Sequence, residues 1–211
     1  MDFPTVVSIS FGPIWVLAEK NASPVSGLFE AMTKMVIPSI EHILGGLKGR
    51  RILVGESMGG FNSIQLALKT TLFEKAGIVC APMAEKVSPF STPEETKAFI
   101  EHSVGWQYYK DHDPETVKTA VGEMMQLSRG FFPTPEDFKG ANPLTLAAEA
   151  NPKITPTLYI ANGFYDRYLS YESTETFVKL LKNRGVKTSW RPQWGGHCSI
   201  DIPTLARFLV N

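Results

Sequence analysis

The stretch Gly55-Glu56-Ser57-Met58-Gly59-Gly60 decides how the chain is read. It follows the apolar run Ile52-Leu53-Val54 and precedes Phe61-Asn62-Ser63-Ile64. Gly55 to Gly59 fits G-x-S-x-G, a spacing that chemistry demands at a sharp strand-to-helix turn. The glycines on either side let neighbouring backbone pack close. The serine then projects at the carboxyl end of the strand, near the positive end of the helix. The N–H of Met58 is then expected to point at a developing oxyanion, with Ser57 as nucleophile. A turn serine capping an ordinary helix also fits the pattern. A β-type run directly before it and an amphipathic helix directly after favour the nucleophile.

Working outward, residues 51–54 read as a strand and residues 59–70 as a helix with Phe61, Ile64 and Leu68 on one face. Residues 77–80 read as another strand, ended by Ala81-Pro82. Upstream, the β-branched residues 5–9 predict a buried strand, and residues 11–23 a loop rich in Gly, Pro, Asn and Ser. Residues 24–44 predict a helix that Pro38 should kink or split. Downstream, residues 157–161 and 187–191 read as strands, and residues 171–184 and 203–210 as helices. Between them, residues 88–152 hold six internal prolines among short helical pieces, best at 94–102 and 115–128, and interrupt the alternation. We read this stretch as a helical cap inserted into a single domain spanning residues 1–211. Strands alternating with helices imply an α/β fold, a mostly parallel sheet with helices on both faces.

Composition narrows the partners. The 211 residues suffice for one sizeable core. Lys+Arg and Asp+Glu balance at 21 each, so nothing electrostatic favours nucleic acid or an acidic membrane surface. No apolar run approaches the ~20 residues of a membrane span, and the amino terminus lacks the pattern of a signal peptide. Two cysteines, Cys80 and Cys198, make no disulfide framework. Both are expected as free thiols in a cytoplasmic protein; a trimmed, exported chain would look similar.

A nucleophilic serine needs a base, and the base an orienting acid. On this kind of sheet the order is Ser, then Asp or Glu, then His, each at the end of a later strand. Of the four histidines, His42 precedes the elbow and His102 and His112 lie in the expected cap. Only His197, in Trp194-Gly195-Gly196-His197-Cys198, follows the last strand. The acid should follow the preceding strand, where Asn162-Gly163 opens a loop carrying Asp166. Asp201 is a rival, though it follows the histidine; Glu172 lies further on, in the next helix. The coincidence of three positions points to Ser57, Asp166 and His197.

The segments GESMGGFNSIQLAL, LYIANGFYDRYLSYEST and GGHC resemble the α/β-hydrolase superfamily, and the Ser-Met-Gly-Gly elbow is most similar to its esterase D, feruloyl-esterase-like branch. The resemblance implies a serine hydrolase of small-molecule carboxylic esters, with no metal and no organic cofactor. It implies Ser57 as nucleophile, His197 as general base and acid, and Asp166 as the residue that orients it. The chain departs from the pattern upstream: only residues 5–9 supply a strand before the elbow strand, as if the fold were shortened at its amino end. The loop that usually supplies the second oxyanion donor is missing. Either the sequence is a fragment, or it is a natural minimal hydrolase, or residues 10–15 provide the donor, which Gly12 would suit. Each leaves a sheet edge that a homodimer could cover.

Specificity should come from the cap and the loops over the strand ends. Candidate wall residues are Trp194, Trp15, Trp106, Tyr108, Tyr109, Phe131 and Phe132, and such a wall suits short acyl or aryl esters. The aromatic pairs in residues 106–109 and 131–132 could equally form the cap's own core. Glu56 is either a buttress that pairs with Arg51 or Arg167, or a solvated side chain. The rival functions are a peptidase or thioesterase on the same residues, or a hydrolase-fold protein that binds without catalysis.

Overall fold

The computed structural model describes residues 4–12, 16–19, 26–46 and 49–211. Upstream of the sheet lie α1 (Leu28–Ala31), a π-helical turn (Met32–Val36) and α2 (Ile37–Ile43). Strand β1 (Ile52–Glu56) leads into α3 (Met58–Lys69), and β2 (Lys75–Val79) follows. Five helices come next: α4 (Pro93–His102), α5 (Val104–Tyr109), α6 (Pro114–Phe131), α7 (Pro135–Ala141) and α8 (Pro143–Glu149). The chain finishes with β3 (Thr157–Gly163), α9 (Tyr171–Asn183), β4 (Thr188–Gln193) and α10 (Ile202–Val210).

The four strands form one parallel sheet in the order β1-β2-β3-β4. Parallel neighbours need crossovers, and α3, the α4–α8 segment and α9 supply them. Alternation along each strand then feeds two cores. On one face Ile78, Leu158 and Ile160 pack with Ile64 of α3, Ala147 of α8 and Phe177 of α9. On the other, Tyr159 and Ala161 meet Leu205 of α10. The sheet is therefore covered on both faces. Pro192, which has no N–H for a ladder, sits in the edge strand β4.

Four of the five helices between β2 and β3 begin with proline at the first turn, where the missing N–H costs nothing. Side chains of Thr92, Asp113, Thr134 and Asn142 cap those same four helices. Four of the six prolines that break the sequence pattern thus start helices. The last of the five, α8, packs into the main core through Leu144, Leu146 and Ala147.

Two upstream expectations change. Residues 5–9 carry no strand, and Val6 is 85% exposed. β-branched composition favours a strand only where a neighbouring edge completes its ladder, and no described strand lies there. Ile9 instead packs partly against Leu17, Met32 and Leu66. At Pro38 the helix does not break. The π-helical turn just before it opens the backbone where the ring would meet the preceding turn. The wider turn shifts the apolar stripe, so Met32 is buried while Met35 and Ile43 are exposed. Among the described residues no helix is long and apolar enough to cross a membrane.

Phe177 is fully buried between α9 and the sheet. Phe177→Ala should lower the unfolding free energy by about 3–5 kcal/mol. Ile43→Ala, at an exposed position, should change it by less than ~0.5 kcal/mol. Urea denaturation of the two variants beside the wild type reads both.

Candidate functional site

In a parallel sheet every strand delivers its carboxyl end to the same edge. Ser57 follows β1, Cys80 follows β2, Asp166 lies just beyond β3, and His197 and Cys198 lie just beyond β4. Residues far apart in sequence therefore meet.

Ser57 occupies φ 53°, ψ −120°, a sparsely populated conformation for a residue with a side chain. Close packing behind it holds the turn. A Cβ on Gly55 would lie 2.0 Å from the Gly59 carbonyl oxygen and 2.3 Å from Ser63 Oγ. Gly59 itself faces open space; the second tight position is Gly60, whose Cβ would stand 2.8 Å from the Val79 carbonyl oxygen. The Ser57 N–H donates to that same oxygen at 3.0 Å.

Ser57 Oγ and His197 Nε2 are 2.9 Å apart, and His197 Nδ1 lies 3.0 Å from Asp166 Oδ1. The histidine side chain is 17% exposed and the Asp166 side chain is fully buried. Asp166 also accepts from the Tyr168 N–H at 2.9 Å and from Ser170 Oγ at 2.7 Å. Tyr168 presents its ring edge-on to the imidazole, 4.6 Å between centroids. The loop holding Asp166 is braced from α5, where the Tyr109 hydroxyl donates to the Tyr165 carbonyl at 3.1 Å. Burial, reinforced by the Asp166 charge, pushes the Tyr109 phenol above its ordinary range, so it remains a donor. Gly163 lets the two loops close on each other: its Cβ would fall 2.1 Å from the Gly196 carbonyl oxygen.

The rival acids are engaged elsewhere. Asp201 caps α10 by accepting from the Thr204 N–H at 3.0 Å and its hydroxyl at 2.6 Å. Those bonds hold its carboxyl below the usual range. Glu172 accepts from the Val104 N–H at 2.5 Å. Glu56 is exposed. Arg51 makes a two-pronged pair with Glu41, and Arg167 lies over the Tyr168 ring.

The free-thiol expectation is overturned: Cys80 and Cys198 form a disulfide, with Cα atoms 4.9 Å apart. It ties the residue after His197 to the end of β2. Both cysteines follow strand ends, a signal the sequence carried. Cys80 and Cys198 have φ of 43° and 61°, and Leu169 has 57°. With Ser57 these are the described non-glycine residues at positive φ, and all four lie in the loops around the site.

A cavity of about 750 Å³ opens on Ser57, Met58 and His197. Phe131 and Phe132 line it, joined by Val16, Phe61 and Tyr168. The other aromatic candidates lie elsewhere. Trp106 packs with Ile100, Val117 and Leu169. Trp194 is 79% exposed, stacked on Phe164 at 4.8 Å, and Tyr108 stacks on Tyr165. Trp15 lies outside the described residues. Gly12 is exposed, with its N–H turned to Ser10 Oγ at 3.4 Å, and does not line the cavity. Residues unremarked in the sequence do line it, among them Met83, Met124, Met125 and Phe138.

No family model matches the chain. No curated protein matches it in sequence. Among solved structures it resembles a ferulic acid esterase (18% identity, 86% of this chain, 59% of the other, TM-score 0.53). It also resembles carboxyl esterase 2 of the fungus Tuber melanosporum (18%, 83% and 54%, TM-score 0.56). Dipeptidyl peptidase 4 of Porphyromonas gingivalis is similar too (15%, 87% and 22%, TM-score 0.56). The chain spans 24% of the acylaminoacyl peptidase of Pyrococcus horikoshii that it also resembles. The fold these likenesses define is the α/β-hydrolase fold. Among the described residues its sheet is the four parallel strands β1–β4, flanked by helices on both faces.

The disulfide closes a long loop, with its cysteines 118 positions apart. Replacing both by Ser should destabilise the protein by about 2–4 kcal/mol. At roughly 2–4 °C per kcal/mol for a chain of this size, the melting temperature should fall accordingly. A reductant should lower the wild-type melting temperature and leave that of the double variant unmoved.

Proposed function

We propose that the chain is a serine hydrolase of carboxylic esters that works through an acyl-enzyme. The observation that carries this reading is the continuous hydrogen-bonded relay from Ser57 Oγ through His197 to the buried Asp166 carboxylate. A serine hydroxyl within bonding reach of an imidazole nitrogen can lose its proton as it attacks. The carboxylate on the other ring nitrogen fixes the tautomer and stabilises the imidazolium that forms.

The steps follow from those distances. Ser57 Oγ bonds to the ester carbonyl carbon while its proton passes to His197 Nε2. The carbonyl electrons move onto oxygen, and we assign the Met58 N–H at the start of α3 as a donor to the oxyanion that forms. As the tetrahedral centre collapses, the carbon–alkoxy bond breaks and His197 returns the proton to the alkoxide. Water, deprotonated by the same nitrogen, repeats the attack and frees the acid. The geometry of Gly12 argues against it as the second donor. The segment that follows it reaches the site: Val16 lines the cavity, and the Leu17 N–H donates to Asn62 Oδ1 of α3 at 2.7 Å.

In this reading residues 88–152 act as a cap, since α6 supplies one wall of the cavity. The bond between Cys80 and Cys198 fits an oxidising compartment, and we place the chain in one rather than in the cytoplasm. Among the described residues β1 is an outer strand of the sheet, and this is the edge through which we expect two copies to associate.

A fluorophosphonate probe should label the wild type, and neither Ser57→Ala nor His197→Ala. Asp166→Asn should retain the fold and lose about 10⁴-fold in kcat toward a phenyl ester. A folded wild type that stays unlabelled would remove the proposal. Turnover of a peptide anilide well above that of the ester would turn it into a peptidase.

A further inference from the structure

The space beside Ser57 is larger than a reacting carbonyl needs. At about 750 Å³ it lies in the upper part of the roughly 300–1,000 Å³ range of small-molecule sites. The segment after β2 contributes Met83, Ala84 and Val87 to its wall, and α6 contributes Met124, Met125 and Leu127. A formyl or acetyl group would leave most of this apolar surface uncovered.

The chemistry of the wall narrows what fills it. Among the described residues no Lys or Arg lines the cavity, and the carboxylate that does, Glu123, is exposed to solvent. A phosphate or carboxylate carried inside would lose its water with no counter-ion in return. Four of the lining residues are methionines: Met58, Met83, Met124 and Met125. Unbranched thioether side chains adapt to a flexible occupant. The phenylalanine rings do not form a slot for a flat one: Phe61 and Phe132 meet at 52°, Phe132 and Phe138 at 67°.

The reaction tells which half of the ester lies there. The alcohol departs at the border of the cavity that His197 forms, where the imidazole protonates it, and water must enter by the same side. The acyl group stays bonded to Ser57 Oγ between the two steps and needs a dry place to wait. We propose that the cavity holds a medium-length, uncharged aliphatic acyl chain, roughly octanoyl in size, making the chain an esterase of medium-chain acids. This rests on the serine-esterase reading above.

Two measurements test it separately from that reading. The first is kcat/KM for p-nitrophenyl acetate, butyrate, octanoate and benzoate. It should rise at least about twofold for each buried methylene, so that octanoate exceeds acetate by roughly 50-fold or more. Met124→Trp should cut the octanoate-to-acetate ratio roughly tenfold. The second is calorimetric titration of Ser57→Ala, which needs no catalysis, with octanamide and acetamide. Octanamide should bind and acetamide should not. A flat or falling series, benzoate equal to octanoate, or no octanamide binding would overturn the assignment. Octanamide binding by Ser57→Ala, beside a wild type that hydrolyses no ester, would remove the esterase reading and keep the cavity's occupant.

Discussion

Asp166 has no exposure to solvent, and a buried carboxylate persists only when its oxygens are engaged. The loop after β3 is built to engage them. One oxygen takes the Tyr168 N–H and faces His197 Nδ1; the other takes the Ser170 hydroxyl. Ser170 in turn accepts from Asn162, itself buried at the end of β3, and Asn162 also donates to Thr174 of α9. The network thus joins strand, loop and helix before it reaches the imidazole. Low local polarity strengthens every bond in it, and makes the loss of any partner expensive. His197 takes its place from this network, and Ser57 meets an imidazole already oriented.

Strain is gathered around the same point. Ser57, Cys80, Leu169 and Cys198 hold a backbone conformation that side chains disfavour, each at a cost of order 1–3 kcal/mol. Such costs are tolerated where the surroundings over-determine the chain. At Ser57 the lock is close packing, since nothing larger than glycine fits at Gly55 or Gly60. At Cys80 and Cys198 it is the covalent bond, which fixes the turn carrying His197 to the end of β2 across the end of β3. Sheet topology brings the four strand ends together, and these local devices set them to within a hydrogen bond's length.

What the sequence disclosed follows from how locally each feature is encoded. The elbow is six adjacent residues. Asp166 and His197 are fixed by rank order along a parallel sheet, and order is visible without coordinates. The disulfide was not read because pairing depends on distance, and the 118 positions between the cysteines hide that they share one edge. The strand expected at 5–9 failed for the opposite reason: its composition is local, but a ladder needs a partner. Of the aromatic residues expected in the pocket wall, Phe131 and Phe132 do line it, whereas the largest described ones, Trp106 and Trp194, do not. One turned into a small core and the other to the surface, while the wall fell to methionines on α6 that show no distinguishing pattern in the sequence.

The polar network and the apolar cavity meet at Ser57, and each needs the other. A hydroxyl attacks most readily where water does not compete for it and where the charge that develops is met by fixed dipoles. In the proposed reaction the phenylalanines and methionines would shield the acyl side of the serine from water. On its other side the imidazole meets the fully buried Asp166 side chain, against which the imidazolium of the proposed reaction would form. An aliphatic chain entering the cavity would displace water from Ser57 without drawing on any charge there. The same contact that binds such a chain would then raise the strength of the relay beside it, linking the choice of acyl group to the chemistry performed on it.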